Sequence, residues 1–250
     1  MPFITVNGKR LHYADTKPEA LDATYTIIFV HGLGSTQNYF FPILPHLTDY
    51  RCITFDNYGA GRSKYDGQPH SIETIGQDVL GILDHLKVPK AVVVGYSMGG
   101  MLPTYLAATV PERVVAAVCV GPVNPSPAVA EVFQKRIPAV REGGMEAMAD
   151  TIPGAATGSR ATPVHRAFVR EMLMAQEVEG YVANCRAIGE LYCRIVLFWR
   201  IGGIVLALSL SLSLSWIPSS GHSGAGLKPL RCFNCCLVPM QSMLLADFMG

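Results

Sequence analysis

Residues 91–102 read AVVVGYSMGGML, and more of the architecture follows from this stretch than from any other. The first six residues are apolar and rich in β-branched side chains, which is typical of a strand that is buried on both faces. The apolar segment 98–109 then has the character of a helix, which ends before Pro111. The letters GYSMG at 95–99 therefore match the pattern G-x-S-x-G at a junction between a strand and a helix.

Ser97 is the candidate nucleophile in this stretch. A sharp turn from a strand into a helix needs small residues beside the serine, because neighbouring backbone passes close to it. The turn projects the hydroxyl from the edge of the sheet at the positive end of the following helix, where a developing negative charge is stabilised. The alternative is a serine in an ordinary glycine-rich turn, and the strand before it and the helix after it favour the catalytic interpretation.

A second glycine-containing loop, HGLG at 31–34, directly follows the apolar strand predicted at 26–30. In an architecture of this kind the loop supplies one backbone N–H of an oxyanion hole, and the residue after the nucleophile supplies the other. The expected donors are the amides of Leu33 and Met98. Such preorganised donors contribute about 3 kcal/mol each to transition-state stabilisation. His31 is expected to hold the loop and not to carry protons.

The chain up to about residue 190 alternates strands and helices. Further elements are predicted as a hairpin around Asn7-Gly8 within residues 1–14, strands at 51–56 and 113–120, and a helix at 71–86 with Ser71 as its N-cap. The repeated βαβ order implies a parallel sheet covered by helices. The glycine-rich segment DNYGAGRS at 56–63 fits neither phosphate-binding glycine pattern, so Asp56 is expected to cap backbone amides in a tight connection.

The chain divides into three parts. Residues 1–124 are predicted to form the α/β core. Three helical patterns without an intervening strand follow, at 128–141, 143–150 and 163–190, and they predict that residues 125–190 form a helical lid. Residues 191–250 contain only five of the 39 charged side chains, so this tail is treated as a separate, atypical segment.

Composition excludes several classes of protein. The chain has 250 residues, of which half are hydrophobic and 16% are charged, and this composition excludes a mainly disordered protein. The net charge of +1 gives no electrostatic reason to bind nucleic acid. Seven cysteines in a chain of this length do not form a disulfide scaffold, and residues 1–20 do not have the pattern of a secretory signal. A cytoplasmic location with reduced thiols is therefore expected.

Three motifs in this order, HGLGS at 31–35, DNYGAGRS at 56–63 and GYSMGG at 95–100, resemble the α/β-hydrolase fold superfamily. Within it, residues 1–190 are most similar to the lidded branch of 3-oxoadipate enol-lactonases and related carboxylesterases. The resemblance implies an α/β fold with a mostly parallel sheet and a helical lid. It also implies Ser97 as the nucleophile, Leu33 and Met98 as oxyanion donors, no cofactor, no metal, and a small ester or lactone as substrate.

The resemblance further implies an acid and a histidine after the lid, in the order Ser, Asp, His. Asp150 and His165 fall inside the predicted lid, and His222 precedes Asp247, so neither pair fits that order. His222 is retained as the candidate base. Two alternatives therefore stay open beside the hydrolase: a catalytically inactive, hydrolase-like protein that binds a ligand or is a truncated product, and a hydrolase-like domain tethered to a membrane.

The tail has features that do not suit the rest of the fold. LALSLSLSLS at 206–215 alternates almost strictly, as in a half-exposed strand, whereas the sheet needs strands that are buried on both faces. Residues 201–217 are uncharged and approach the length of a membrane span, and 195–199 extend this apolar stretch beyond Arg200 to 195–217, but serines and glycines dilute it and insertion is not favoured. The cysteines at 232–236 lack further ligands for a zinc site. An altered reading frame or retained non-coding sequence would explain this tail, and the fold is expected to be incomplete at its C-terminal end.

Overall fold

The computed structural model describes residues 2–18 and 25–201, with side chains up to Glu190. In this part of the chain six strands form one sheet in the order β1-β2-β4-β3-β5-β6. The strands are β1 Phe3–Val6, β2 Lys9–Asp15, β3 Thr26–Val30, β4 Arg51–Phe55, β5 Ala91–Tyr96 and β6 Val114–Val120. β1 and β2 pair antiparallel, as do β2 and β4, and the remaining neighbours pair parallel. The predicted α/β architecture with a mostly parallel sheet is confirmed.

Helices connect and cover these strands. Five α-helices lie in the described residues: α1 Ile72–His85, α2 Leu102–Thr109, α3 Pro127–Ala156, α4 Pro163–Met174 and α5 Val178–Ile201. Three short stretches are 3-10 helices, at Gln37–His46, Ser97–Met101 and Pro111–Arg113. None of the helices within residues 2–18 and 25–201 combines the length and the apolar character that a membrane crossing requires.

Local sequence signals explain where several elements begin. Asn7 and Gly8 have φ values of 51° and 77°, as the tight hairpin between β1 and β2 requires. Ser71 caps α1 as predicted, because its hydroxyl accepts from the Thr74 amide at 3.2 Å. The Thr74 hydroxyl in turn accepts from the Ser71 amide at 2.8 Å, which completes a reciprocal capping box.

The main core lies between the sheet and α1. The central strands contribute Ile28, Ile53 and Val93, each 0% exposed, and α1 turns Ile75 and Val79 toward them. A second core, formed by residues of α3, α4 and α5, contains Val140, Leu173 and Tyr181. Leu33 packs against both cores, so the loop after β3 lies where they meet.

Helix boundaries after β6 differ from the sequence expectation. α3 spans residues 127–156 and consists of two helical segments joined at the non-helical Gly144, whose φ is 67°; two helices were expected here, but the second runs past its predicted end at 150. The single helix expected at 163–190 is divided into α4 and α5 by residues 175–177. Several features of the tail lie outside the described residues: the Leu-Ser repeat at 206–215, most of the apolar stretch that ends at 217, His222, and the cysteines at 232–236. The predictions for the tail and the three-part division of the chain therefore remain predictions.

Candidate active site

Ser97 occupies a strained position at the end of β5. Its φ is +55°, in the left-handed region that residues with a side chain seldom adopt. Backbone strain of this kind costs on the order of 1–3 kcal/mol and concentrates at functional sites. The side chain is partly exposed, and its hydroxyl has no hydrogen-bond partner among residues 2–18 and 25–190.

Glycines on either side of Ser97 allow the sharp turn. A Cβ atom at Gly95 would lie 1.9 Å from the carbonyl oxygen of Gly99. A Cβ atom at Gly99 would lie 2.1 Å from the carbonyl oxygen of Val30, at the end of β3. The backbone thus passes too close for any larger residue at either position. The two glycines of the G-x-S-x-G pattern have a steric explanation.

The loop after β3 lies directly beside this turn. A Cβ atom at Gly32 would lie 2.8 Å from the Cβ of Ser97. The Ser35 amide donates to the carbonyl of Gly32 at 3.3 Å, which closes a four-residue turn. Gly34 has a φ of +70°, which suits the third position of a type II turn. Leu33 is the second residue of this turn and directly follows Gly32, the residue that approaches Ser97.

The two predicted oxyanion donors both have unused N–H groups. Within the described part of the chain, neither the Leu33 amide nor the Met98 amide donates a hydrogen bond. Met98 directly follows Ser97 in the 3-10 helix, whose first amides lack intrahelical acceptors. Both groups are therefore available to an external acceptor, and their catalytic role remains a prediction.

His31 holds the start of this loop. It is 0% exposed, its Nδ1 donates to the Gly32 carbonyl at 2.8 Å, and its Nε2 accepts from the Asn57 amide at 2.9 Å. Burial lowers the pKa of His31, so the ring is neutral, as one donating and one accepting nitrogen require. With both nitrogens engaged by backbone, His31 has the structural role that was expected of it.

Asp56 holds the other end of the loop. Its carboxylate accepts from the amide of Gln37 at 2.9 Å and from the amide of Arg62 at 3.1 Å. His12 lies against the same carboxylate, with Nδ1 at 2.9 Å from Oδ2. Asp56 thus caps backbone amides, as its place in a glycine-rich connection indicated.

His31, which is buried, and His70, which is partly buried, make stability depend on pH. Burial lowers the pKa of His70 to about 4, and its Nε2 donates to Asn184 Oδ1 at 3.1 Å. Burial also lowers the pKa of His31. Because both pKa values are lowered from the ordinary value of about 6.5, the unfolded chain binds more protons than the folded chain once the pH falls below 6.5. Stability is therefore fully present above pH 6.5 and falls as the pH drops toward 4.

We expect His70→Gln to weaken this dependence. His70 alone contributes a loss on the order of 2 kcal/mol between about pH 6.5 and 4. Urea unfolding of the variant at several pH values should give a flatter curve than wild type, and replacement of the exposed His85 by glutamine should not. Equal slopes for wild type and His70→Gln would contradict the assignment.

His165 and Asp150, which the sequence had placed in the predicted lid and not in a triad, form no hydrogen bond with Ser97. His165 is 4% exposed in the first turn of α4, where its Nδ1 accepts from the Thr162 amide at 3.0 Å. Asp150 is exposed on α3 and forms an ion pair with Arg170 at 3.1 Å. Within residues 2–18 and 25–190, no group of three histidine, cysteine or acidic side chains is arranged to hold a metal ion.

The sequence did not reveal what covers the loop. A Cβ atom at Gly34 would lie 2.6 Å from Leu173 Cδ2 and 3.1 Å from Tyr181 Cε2, so α4 and α5 pack directly on it. Helical periodicity indicates that both side chains are buried, but not what they bury against. Apolar side chains near the site could either line a pocket or pack in a core, and the sequence left both open for Phe40, Phe41, Met98 and Leu102. Met98 and Leu102 are buried in the main core and Phe40 in a smaller cluster, whereas Phe41 is partly exposed.

A mostly parallel sheet in this strand order, with a serine at positive φ between strand and helix, defines an α/β-hydrolase fold. The chain belongs to the α/β hydrolase fold family, whose model matches residues 25–184. It is 32% identical over 174 residues to 3-oxoadipate enol-lactonase 2 of Acinetobacter baylyi, covering 66% of this chain and 62% of that protein. The chain thus spans less than two thirds of that relative's length.

Two further relatives show the range of the similarity. The crystal structure of the enol-lactonase from Burkholderia xenovorans LB400 matches with a TM-score of 0.69 and 31% identity, covering 75% of this chain and 73% of that chain. The karrikin insensitive 2 receptor CA of Petunia hybrida is 34% identical over 82 residues, 31% of this chain and 30% of the receptor. The sequence similarity thus extends to proteins that are named as enzymes and, over a short segment, to one that is named as a receptor.

Proposed function

We propose that this chain hydrolyses small carboxylic esters or lactones through an acyl-enzyme on Ser97. One observation carries the proposal: the Ser97 hydroxyl, held at positive φ, lies beside the turn that contains the Leu33 amide and directly before the Met98 amide. A nucleophile next to two unused N–H donors suits a reaction in which a carbonyl oxygen becomes an oxyanion. The similarity to two enol-lactonases supports an ester or lactone as the substrate class.

The proposed reaction has two halves. The Ser97 oxygen attacks the carbonyl carbon, its proton passes to a base, and the Leu33 and Met98 amides donate to the tetrahedral oxyanion. Collapse of this intermediate expels the alcohol, which takes the proton from the base. Water then attacks the acyl-enzyme by the same route and releases the acid. Neither half requires a cofactor.

The base in this proposal is His222, which lies outside the described residues. The ring nitrogens of His31 and His165 already form hydrogen bonds with backbone groups. The proposal therefore requires a residue after Ile201 to reach Ser97. Without such a base the rate falls to a residual of about 10³–10⁴-fold over the uncatalysed reaction.

A second candidate follows from the same observation. His165 and Asp150, the described post-serine members of the family's usual residue types, are bonded to Thr162 and Arg170 and not to Ser97. A chain whose tail supplies no base would be a hydrolase-like protein that binds an ester or lactone without turnover. The similarity of a short segment to a receptor is consistent with this alternative.

Labelling with a fluorophosphonate probe separates the two candidates. We expect the purified full chain to be labelled, Ser97→Ala to remain unlabelled, and His222→Ala to be labelled at least about 10²-fold more slowly, because proton transfer by a base contributes that much. Substitution of the exposed His85 by alanine is the matched control and should leave labelling unchanged. If His222→Ala is labelled as fast as wild type, His222 is not the base. If wild type is not labelled at all, the non-catalytic candidate is favoured.

A further inference from the structure

Gln176, in the turn between α4 and α5, holds the middle of the loop at 31–37. It is 7% exposed. Its side-chain nitrogen donates to the carbonyl oxygen of Ser35 at 3.0 Å and to that of Met172 at 2.8 Å. Each of the two N–H bonds of the amide therefore has a main-chain acceptor, which fixes the orientation of this side chain.

The two ends of the loop are anchored to the core. The His31 ring accepts from the Asn57 amide at the start of the loop, and Asp56 accepts from the Gln37 amide at its end. Gln176 acts between these two points and comes from the helical segment that follows β6. The Ser35 hydroxyl adds a contact of 3.4 Å to the sulfur of Met172 in α4. The position of the loop is thus set partly by α4 and the turn after it.

The same corner of the molecule fixes the shape of the turn itself. Leu173 and Tyr181 pack against Gly34 so closely that a Cβ atom there would lie 2.6 Å from Leu173. α5 also touches the core at Gly180, where a Cβ atom would lie 2.2 Å from the carbonyl oxygen of Gly59. The backbone contact at Gly180 leaves α5 little freedom to shift. Because α5 is fixed against the core, Gln176 and Leu173, which precede it, have a fixed position relative to the loop.

We infer that Gln176 is a positioning residue that sets the direction of the Leu33 amide. Ser35 closes the turn that contains Leu33, with its amide bonded to Gly32 and its carbonyl bonded to Gln176. Loss of the Gln176 amide leaves the Ser35 carbonyl, which belongs to a residue only 4% exposed, without its donor. The turn then rotates to find another partner, and the Leu33 N–H turns with it.

This inference rests on the proposed function, in which the Leu33 amide holds the oxyanion. An oxyanion forms only in the transition state, so a misdirected donor lowers kcat and leaves KM almost unchanged. A displacement of about 1 Å at a reacting group costs up to about 10²-fold in rate. We therefore expect Gln176→Ala in the full chain to hydrolyse p-nitrophenyl acetate with kcat about 10- to 100-fold below wild type and KM within about twofold.

Two variants make the test specific. Gln176→Glu keeps the size of the side chain and removes the donor, so it should behave like Gln176→Ala. Gln68 also donates to a main-chain carbonyl, that of Gly8 at 2.9 Å, but in the turn between β1 and β2. Gln68→Ala should keep wild-type kcat and KM.

The possible results decide between this role and its alternatives. Wild-type kcat in Gln176→Ala overturns the inference, and so does a loss of kcat that Gln176→Glu does not share. If hydrolysis by wild type does not depend on Ser97, the proposed function fails by itself. Amide hydrogen exchange of Gln176→Ala then decides the positioning role: faster exchange confined to residues 33–36 supports it, and unchanged exchange there overturns it.

Discussion

Replacement of Ser97 by alanine should reduce hydrolysis of p-nitrophenyl acetate by about 10³-fold or more, to a residual of at most about 10³–10⁴-fold over the reaction in buffer. The removed oxygen is the proposed nucleophile, and no second hydroxyl in the described loop occupies its place beside Leu33. The Ser35 hydroxyl is directed at the sulfur of Met172 instead. The loss should be in kcat, since the methyl group of alanine still fits the substrate site.

The stability of Ser97→Ala should not fall with its activity. The hydroxyl makes no hydrogen bond among the described residues, so its removal breaks no contact of the fold. Ser159, which is exposed in the turn between α3 and α4, provides the matched control, and Ser159→Ala should keep wild-type activity. Equal rates for Ser97→Ala and wild type would eliminate the enzyme claim for this chain and leave its fold unaffected.

Gly95→Ala should prevent folding or lower the free energy of unfolding by about 4 kcal/mol or more. The added methyl group would lie 1.9 Å from the carbonyl oxygen of Gly99 and 2.9 Å from the Cα of Gly100. Both atoms belong to backbone at the start of a helix that packs on the sheet. Neither can move aside without displacing the turn that carries Ser97, so the overlap cannot be relieved by a side-chain rotation.

Gly154→Ala is the matched control for this prediction. Gly154 lies in α3, and a Cβ atom there would meet nothing within 4 Å. Alanine favours a helix over glycine by about 1 kcal/mol, so this variant should be as stable as wild type or slightly more stable. Urea unfolding followed by circular dichroism measures both variants. A Gly95→Ala protein whose stability is within about 1 kcal/mol of wild type would show that the turn is looser than its glycines indicate.

The sequence predicted the core of the fold well because its signals are local. The strands at 26–30, 91–96 and 114–120 are short apolar runs, and their spacing by helices determines parallel pairing. Asn7-Gly8 and the capping box at Ser71 need only neighbouring residues to be recognised. Each of these predictions depends on contacts that the chain makes within a few residues.

Predictions failed where the deciding contact is distant or unusual. The 3-10 helix Gln37–His46 contains Pro42 and Pro45 and has no clear periodicity, so it was not predicted. The second segment of α3 continues to Ala156, beyond the end predicted at residue 150.

For the site, the G-x-S-x-G pattern and the HGLG loop were sufficient to single out Ser97, Leu33 and Met98. The bond from Gln176 to the Ser35 carbonyl joins residues 141 positions apart. No pattern in one sequence links such a pair. The glutamine follows α4 without any motif, and only the packing of α4 and α5 on the loop reveals its role.

In the proposed site, the Ser97 oxygen and the amides of Leu33 and Met98 face the same reacting group. A crystal structure of the full chain after reaction with a fluorophosphonate tests this directly. We predict phosphorus bonded to Ser97 Oγ and one phosphoryl oxygen within about 3.1 Å of both amide nitrogens. An unmodified Ser97, or an adduct whose phosphoryl oxygen points away from Leu33 and Met98 into solvent, would contradict the account.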